Sequence, residues 1–361
     1  MKKVFVLFSA ILLSLSAFAQ SETPEYGYKL TGFASQPKFG AFIIGTYKYS
    51  DQEGAQTGPG FGLRLIRTYV DGTILNDFNY RIQFEINGTP HVKDFYLEWA
   101  KYKEFSVKIG EFKRAFTFEN PYNPWDVGVG DYSQAVKKLA GMGDRCGEAS
   151  MGGRDLGIQL QGDFAKMADG YNLIHYQVMV ANGQGINHAD VNKTKDVIGT
   201  IQFVPIKNLY IGAFGWSGNY TKNTVTVDRN RMAFGIKYES DWTFRGEYAT
   251  SKGYKISDYE QNKETNVYEL KSNIKGKDKA DGWYVTVGAP VAKGFKIYGK
   301  WDVYRDYKSN ESATNQYALA ANYYFNKNLK VQGTFYHTHT GKEVEGDHDF
   351  NTVDIQLYWR F

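Results

Sequence analysis

The sequence predicts an all-β fold, a transmembrane antiparallel β-barrel of about 16 strands with short turns at one rim and long loops at the other. Three observations predict it. The last eleven residues alternate in polarity, short and long connections alternate along the chain, and no run after the N-terminal segment approaches the ~20 apolar residues of a transmembrane helix. A closed barrel pairs its backbone groups between neighbouring strands and therefore crosses a membrane without such a run.

The C-terminal segment shows the strand pattern most clearly. Val353, Ile355, Leu357, Trp359 and Phe361 occupy alternate positions, and mostly polar residues stand between them. Because successive side chains of a strand point to opposite faces, one face of this segment is apolar and the other polar. The segment resembles the closing strand of a bacterial outer-membrane barrel. That resemblance implies that the barrel assembly machinery recognises the strand ending at Phe361.

The N-terminal segment predicts export from the cytoplasm. Lys2 and Lys3 form a basic start, an apolar stretch follows, and Ala17 and Ala19 fit a small-x-small cleavage site. We expect residues 1–19 to be a signal peptide that is removed, which leaves residues 20–361 as one barrel domain.

The lengths of the connections predict the orientation of the barrel. Sixteen segments between Phe39 and Phe361 have strand character, although apolar residues fall on both faces of Phe39–Tyr49. Short links such as Ser240–Asp241 alternate with long ones such as Lys252–Ala280. Short periplasmic turns and long extracellular loops are typical of outer-membrane barrels, so we expect this location for the chain.

Composition excludes several classes of protein. The chain has 43 basic and 39 acidic residues, so its charge indicates no nucleic-acid partner. Aromatic residues make up 16% of the sequence, which suits a large antiparallel sheet. The single Cys146 excludes an internal disulfide, and we expect no cofactor and no bound metal.

The longest connection, residues 113–152, is the expected constriction of the pore. A barrel of about sixteen strands is too wide for its side chains to fill, so a water-filled channel is expected. Within the loop, Asp131 to Leu139 could form a short helix that carries Lys137 and Lys138. The alternative is a loop that faces outward into solvent.

Charged residues on the faces opposite the apolar stripes are the candidates for lining the pore. The basic candidates on strands are Arg64, Arg81, Lys108, Lys237, Arg245, Lys296, Lys300, Lys330 and Arg360. The acidic candidates are Glu85, Asp94, Glu98, Glu239, Glu247, Asp302 and Asp354. Loop residues that could make the constriction basic are Lys113, Arg114, Lys137, Lys138 and Arg145. A mixed-charge lumen with little ion preference is the alternative.

Two segments resemble the phosphate-selective porins O and P, in the versions found in Bacteroidota-type bacteria. One runs from Asp94 to Trp99 and continues through Ile109 to Phe116, and the other is Gly153 to Gly157, followed by Val180 to Gly183. The resemblance covers roughly the central third of the chain, and Ala115 stands where the family usually has proline. It implies a sixteen-stranded, trimeric pore for small anions such as phosphate or polyphosphate.

The predicted function is passive diffusion of small hydrophilic solutes with a modest preference for anions. Lys113 and Arg114 are expected at the constriction, because they stand where a strand enters the long loop. An alternative is a structural or adhesive barrel whose long loops, such as Lys252–Ala280, bind host or matrix.

A hydrolase of the outer membrane is a further alternative. His337, His339 and His348 could ligate a metal, but no recognisable serine or cysteine nucleophile motif accompanies them. We therefore expect that the protein is not an enzyme.

Overall fold

The strands close into one barrel, as the sequence predicts. The computed structural model describes residues 37–54, 59–148 and 152–361, and within these ranges sixteen antiparallel strands follow one another around the ring. The first strand pairs with the last, from Phe42 opposite Arg360 to Ser50 opposite Thr352. The expected signal peptide, residues 1–19, lies outside the described residues.

The barrel strands are numbered together with four short strands that lie in two of the loops. The barrel strands are β1 (Lys38–Ser50), β2 (Gly60–Ile74), β3 (Phe78–Glu85), β4 (His91–Trp99), β5 (Ser106–Lys113), β6 (Arg154–Lys166), β7 (Asn172–Ala181), β8 (Asp196–Ile206), β9 (Leu209–Ser217), β12 (Asn230–Glu239), β13 (Thr243–Lys252), β16 (Lys279–Ala292), β17 (Phe295–Arg305), β18 (Ala313–Tyr324), β19 (Leu329–Thr340) and β20 (Asp349–Arg360).

Two loop hairpins and a few helical turns were not foreseen in the sequence. The hairpins are β10 (Asn219–Lys222) with β11 (Val225–Asp228), and β14 (Tyr259–Gln261) with β15 (Tyr268–Leu270). The one α-helix of the described residues is α1 (Gln134–Leu139). The 3₁₀ turns are Pro124–Asp126, Ile256–Asp258, Ser272–Ile274, Asp306–Lys308 and Asn310–Ser312.

The barrel strands present an apolar outer face, and their inner face is largely polar, except where it packs against the segment inside the barrel. Ile201 on β8 and Leu319 on β18 are 56% and 60% exposed, and both belong to the outer face. Their neighbours Gln202 and Ala320 point inward, where Ala320 is buried. No helix in the described part of the chain is long and apolar enough to cross a membrane. A closed sheet with an apolar exterior is suited to hydrocarbon, since no backbone edge is left unpaired.

The register shifts in four strand pairs of the barrel, and two of these shifts are β-bulges that bring an additional cation to the interior. Between β1 and β2 the register shifts at Ile44 and Gly45, which leaves Arg64 as an extra residue on β2. Between β3 and β4 the register shifts after Gln83, and Lys93 is the extra residue on β4. A bulge inserts one residue without a partner and thereby reverses the inward and outward alternation beyond it.

The outward orientation of Ile201 predicts a large difference between two adjacent substitutions. Ile201→Arg is expected to lower the free energy of unfolding by about 2–4 kcal/mol, because a guanidinium at mid-strand would face hydrocarbon. The control is Gln202→Arg at the same depth, which places the charge in the wet interior and should cost less than about 1 kcal/mol. Reversible urea unfolding in lipid vesicles measures both values. Equal losses for the two variants would contradict the assignment of the faces.

Candidate functional site

The segment that follows β5 runs through the interior of the barrel. We call its described residues 114–148 the inner loop. The backbone N–H of Phe118 donates to the Glu247 carboxylate on β13 over 2.6 Å. The N–H of Gly130 donates to Thr334 Oγ1 on β19 over 3.2 Å. Because these partners belong to distant strands of the barrel, the loop crosses the lumen and does not face outward.

Small residues on the wall make room for helix α1. Ser133 caps the helix, since its hydroxyl accepts from the N–H of Val136 over 3.3 Å. The buried face of α1 includes Ala135, and a Cβ placed on Gly282 of β16 would lie 2.9 Å from the Ala135 Cβ. The helix predicted from Asp131 is therefore present but begins at Gln134.

A buried network of ion pairs holds both ends of the inner loop. Arg114 contacts Glu148 over 3.0 Å and Asp155 over 2.7 Å. Arg229 contacts the same Glu148 and binds Asp196 over 2.6 Å. The five side chains are at most 1% exposed. We call this group the anchor network.

An indole ring forms the floor of the anchor network. Trp216 donates its Nε1–H to Asp196 over 2.7 Å, and the guanidinium carbons of Arg114 and Arg229 lie 4.8 and 4.5 Å from its ring centroid. Arg231 lies 4.8 Å from the same ring and pairs with Asp144 over 2.5 Å. Cation–π contacts in a desolvated site add to the ion pairs and fix the planes of the guanidinium groups.

Beside the anchor network, Asp144, Cys146 and Glu148 bring three possible metal ligands together, within 4.8 Å of one another. Both carboxylates already bind guanidinium groups, which supply the positive charge that a metal would bring. Burial raises the pKa of the Cys146 thiol, whereas a metal ligand must be a thiolate. These residues therefore fit an anchor better than a metal centre.

The three candidate histidines make separate contacts. The Nδ1 atoms of His337 and His339 lie 3.1 and 2.8 Å from Asn351 and Asp349, respectively. His348 lies 3.1 Å from the Thr340 hydroxyl. Among the residues that the structure describes, the histidines belong to no group of three possible metal ligands.

Between the inner loop and the wall formed by β2 to β7 lies a cavity of about 260 Å³, which we call the lumenal cavity. Its lining residues are Arg67, Arg81, Gln83, Asp94, Tyr96, Lys108, Phe112, Lys113, Ala115, Pro121, Tyr122, Asn123, Arg154, Gln159 and Gln177. Only one of these side chains is a carboxylate, and five are cationic.

Most of the cations beside the lumenal cavity are paired, but positive charge is in excess. Four ion pairs join strands or neighbouring residues of this wall: Arg67–Glu85, Arg81–Asp71, Arg154–Asp94 and, at 3.9 Å, Lys108–Glu98. Lys93 shares Glu85 with Arg67 over 3.5 Å. The ammonium of Lys113 donates instead to the carbonyl oxygens of Asn120 and Tyr122. Six cations therefore stand beside four carboxylates on this part of the wall.

The structure brings three of the predicted basic pore residues together in the lumenal cavity, namely Arg81, Lys108 and Lys113, beside the predicted acidic residue Asp94. The other basic candidates have different positions.

Three of them contact Asp131 of the inner loop: Arg64 and Lys137 bind its carboxylate, and Lys300 donates to its carbonyl oxygen. Arg245 donates to the carbonyl oxygens of Asp126 and Val127 in the same loop. Arg145 binds Asp306, Arg114 belongs to the anchor network, and Lys138 is exposed. Most of these cations thus hold the inner loop and leave little charge open to the lumen.

Arg67, Lys93 and Arg154 also lie on the inner side of the wall, although they were not among the residues predicted to line the pore. Arg64 and Arg67 are three residues apart, so strict alternation would place them on opposite faces of the strand. The bulge at Arg64 reverses the alternation, and both side chains therefore face the lumen. The bulge at Lys93 likewise lets the adjacent side chains of Lys93 and Asp94 both face the interior. No sequence signal identified either bulge. The two-sided apolar pattern of Phe39–Tyr49 was a partial clue.

Packing against the inner loop explains that two-sided pattern. Phe42 faces inward, where its ring centroid lies 6.3 Å from that of Trp125 in the loop. Ile44 is fully buried in the same cluster. Ala115, where the resembled family usually has proline, is also buried, and its carbonyl accepts from the Thr200 hydroxyl on β8.

Comparison with solved structures finds this fold among outer-membrane proteins. OmpF of Salmonella typhi, solved in complex with daunomycin, aligns with a TM-score of 0.63 and 12% identity over 90% of this chain and 97% of that chain. The outer membrane channel DcaP of Acinetobacter baumannii aligns with a TM-score of 0.61 and 12% identity over 91% of this chain and 99% of that chain. The trimer form of OmpT from Vibrio cholerae aligns with a TM-score of 0.58 and 13% identity over 90% of this chain and 99% of that chain.

No protein-family model matches the chain, and the comparison with curated proteins gives no match. The structural likenesses show the fold, which is the sixteen-stranded barrel of outer-membrane porins. With its apolar exterior, polar interior and closed sheet, the chain is an outer-membrane β-barrel protein.

The anchor network predicts that one buried arginine contributes strongly to stability. Arg114→Ala is expected to lower the free energy of unfolding by about 3–5 kcal/mol, because Glu148 and Asp155 would lose a buried partner. Lys138→Ala removes an exposed cation of the same loop and is the control, with an expected change within about 0.5 kcal/mol. Urea unfolding in detergent micelles compares the variants. A loss below about 1 kcal/mol for Arg114→Ala would contradict the role given to the network.

Proposed function

We propose that the protein is a passive diffusion channel for small hydrophilic solutes with a modest preference for anions. The observation that carries the proposal is the lumenal cavity, where cations outnumber carboxylates beside a loop that crosses the barrel. Guanidinium and ammonium groups replace part of the hydration shell of an anion that passes them. The proposal includes no catalytic reaction.

The arrangement of cavities supports a water-filled path. The lumenal cavity shares Gln177 with a second cavity of about 350 Å³ that extends to Tyr102 and Lys103 in the turn between β4 and β5. It shares Tyr122 with a third cavity of about 410 Å³, which Asp126 and Arg245 help to line. Solute that passes the inner loop at the lumenal cavity would thus enter open space near the short-turn rim.

Phosphate is among the anions that we propose as solutes. The resemblance to phosphate-selective porins motivates this choice, and the arginine and lysine side chains of the lumenal cavity suit an oxyanion. Arg114 is fully paired within the anchor network, so we assign the anion preference to Arg81, Lys108 and Lys113 and give Arg114 a positioning role.

We also propose a homotrimer and assembly through the C-terminal strand. An apolar concavity of about 1140 Å³ lies on the outer face of β1 to β5, with Phe95 and Ile109 in its lining. The solved trimer form of OmpT, which has the same fold, supports a second and third copy as its occupants. Phe361 borders the concavity and is 72% exposed, which leaves the closing strand accessible to the barrel assembly machinery.

The anion preference is expected to depend on Arg81 and Lys108. Replacing both with glutamine leaves four cations beside four carboxylates, so the anion-to-cation permeability ratio should fall from above 1 to about 1. The reversal potential in a potassium chloride gradient across a planar bilayer measures this ratio. Lys263→Gln, at an exposed loop position, is the control and should leave it unchanged.

Two results would contradict this assignment of charge. Cation preference in the wild-type protein would remove the anion proposal. A barrel that inserts into the bilayer without conducting would favour the structural or adhesive alternative.

The trimer is expected to depend on the concavity. Phe95→Arg combined with Ile109→Arg places two charges in the proposed contact and should give monomers. The control Ile201→Arg puts the same substitution on an outer face away from the concavity, where the folded fraction should remain trimeric. Sedimentation in detergent measures the mass of the folded species. A wild-type monomer, or trimers in both variants, would contradict this interface.

A further inference from the structure

Three glutamine side chains of β6 and β7 form a chain of hydrogen bonds, and two of them, Gln159 and Gln177, line the lumenal cavity. Gln161 Nε2 donates to the Glu98 carboxylate, and Gln161 Oε1 accepts from the Nε2 atoms of Gln159 and Gln177. Strand pairing explains the arrangement, because Glu98 stands opposite Lys108, Lys108 opposite Gln159, and Gln161 opposite Gln177. Paired side chains on one face of a sheet lie about 4.5–5.5 Å apart at Cβ.

The carboxylate fixes the direction of every amide in this chain. A carboxylate such as that of Glu98 accepts hydrogen bonds, so the amide of Gln161 turns its NH₂ group toward it. Gln161 Oε1 then faces the other two glutamines, which turn their own NH₂ groups toward it. The carbonyl oxygen of Gln159 is left at the end of the chain. It is buried and has no hydrogen-bond partner, and Gln159 is only 2% exposed.

An unsatisfied buried acceptor beside a cation is suited to a ligand with two kinds of group. The unpartnered Oε1 of Gln159 requires an N–H or O–H donor, since a buried acceptor without one is destabilising. Its cross-strand neighbour Lys108, which lies 3.9 Å from Glu98, and the nearby Arg81, which is paired with Asp71, add positive charge that attracts an anionic group. The Lys108 ammonium lies 4.7 Å from the centroid of Tyr96 and 5.5 Å from that of Phe112, so apolar surface borders the same cavity.

We propose that the lumenal cavity is a recognition site for small organic acid anions that carry a hydroxyl or amino donor near the carboxylate. The carboxylate binds Lys108 and Arg81, the donor binds Gln159 Oε1, and the carbon skeleton lies against Tyr96 and Phe112. A volume of about 260 Å³ suits molecules of a few carbon atoms. The inference rests on the proposed channel function and specifies which solutes the channel favours.

The test compares two dianions that differ by one hydroxyl group. Malate and succinate have the same charge, but only malate carries a donor for Gln159. Each is added to single wild-type channels in potassium chloride, and the concentration that halves the current is measured. Malate is expected to block at an about tenfold lower concentration than succinate, because a satisfied buried acceptor contributes about 1.4 kcal/mol. Inorganic phosphate should block less well than malate, since it offers no carbon skeleton to the two rings.

Substitutions test whether Gln159 Oε1 causes the difference between malate and succinate. Gln159→Met keeps the length of the side chain without its acceptor and should reduce the malate-to-succinate difference to within about twofold. Gln202→Met removes a lumenal glutamine outside the cavity and should keep the full difference. Heat-modifiable electrophoretic mobility shows that each barrel is folded. Glu98→Gln, which frees the orientation of the amides, should also weaken the discrimination.

The outcomes separate this inference from the channel proposal. Equal block by malate and succinate in a conducting, anion-preferring wild-type channel would overturn the inference alone. Discrimination that survives in Gln159→Met would overturn it as well, and phosphate block as strong as malate block would replace organic acids with oxyanions in general. A channel that does not conduct would overturn both proposals.

Discussion

The structure depends on one constraint, which is that every backbone N–H and C=O group within the hydrocarbon needs a partner on a neighbouring strand. The pairing of β1 with β20 meets this constraint by leaving the ring without an edge. Closure also fixes the faces of the strands, because a shift of one residue would turn a whole apolar stripe into the lumen. The two bulges are local exceptions, and both bring an additional cation to the interior, Arg64 and Lys93.

The inner loop crosses the wide barrel and fills part of its lumen. Its burial requires that its polar groups find partners on the wall, and the wall supplies them as arginine, lysine and carboxylate side chains. Lys330 and Arg245, for example, donate to backbone carbonyls of the loop. Many lumenal charges therefore have a structural task. On the wall from β2 to β7, which the loop leaves uncovered at the lumenal cavity, charged side chains line open space, and we propose that they meet the solutes.

The sequence predicted the sixteen strands, the rims and the inward candidates because these follow from a period of two residues and from loop length. Lys108 and Arg81 were placed correctly on the inner face for this reason. The roles of Arg114 and Arg145 could not be predicted, since their carboxylate partners Glu148 and Asp306 meet them only in the folded chain. Arg67 was missed because a bulge has no reliable signature in a single sequence.

We propose that a water-filled path with excess positive charge passes the inner loop beside Gln177. A cysteine placed at this position tests it directly, because the native Cys146 is buried and should not react. We predict that a membrane-impermeant, negatively charged thiol reagent modifies Gln177→Cys and reduces the single-channel current, and that it reacts faster than its positively charged analogue. Absence of reaction, or faster reaction with the positively charged reagent, would contradict the account.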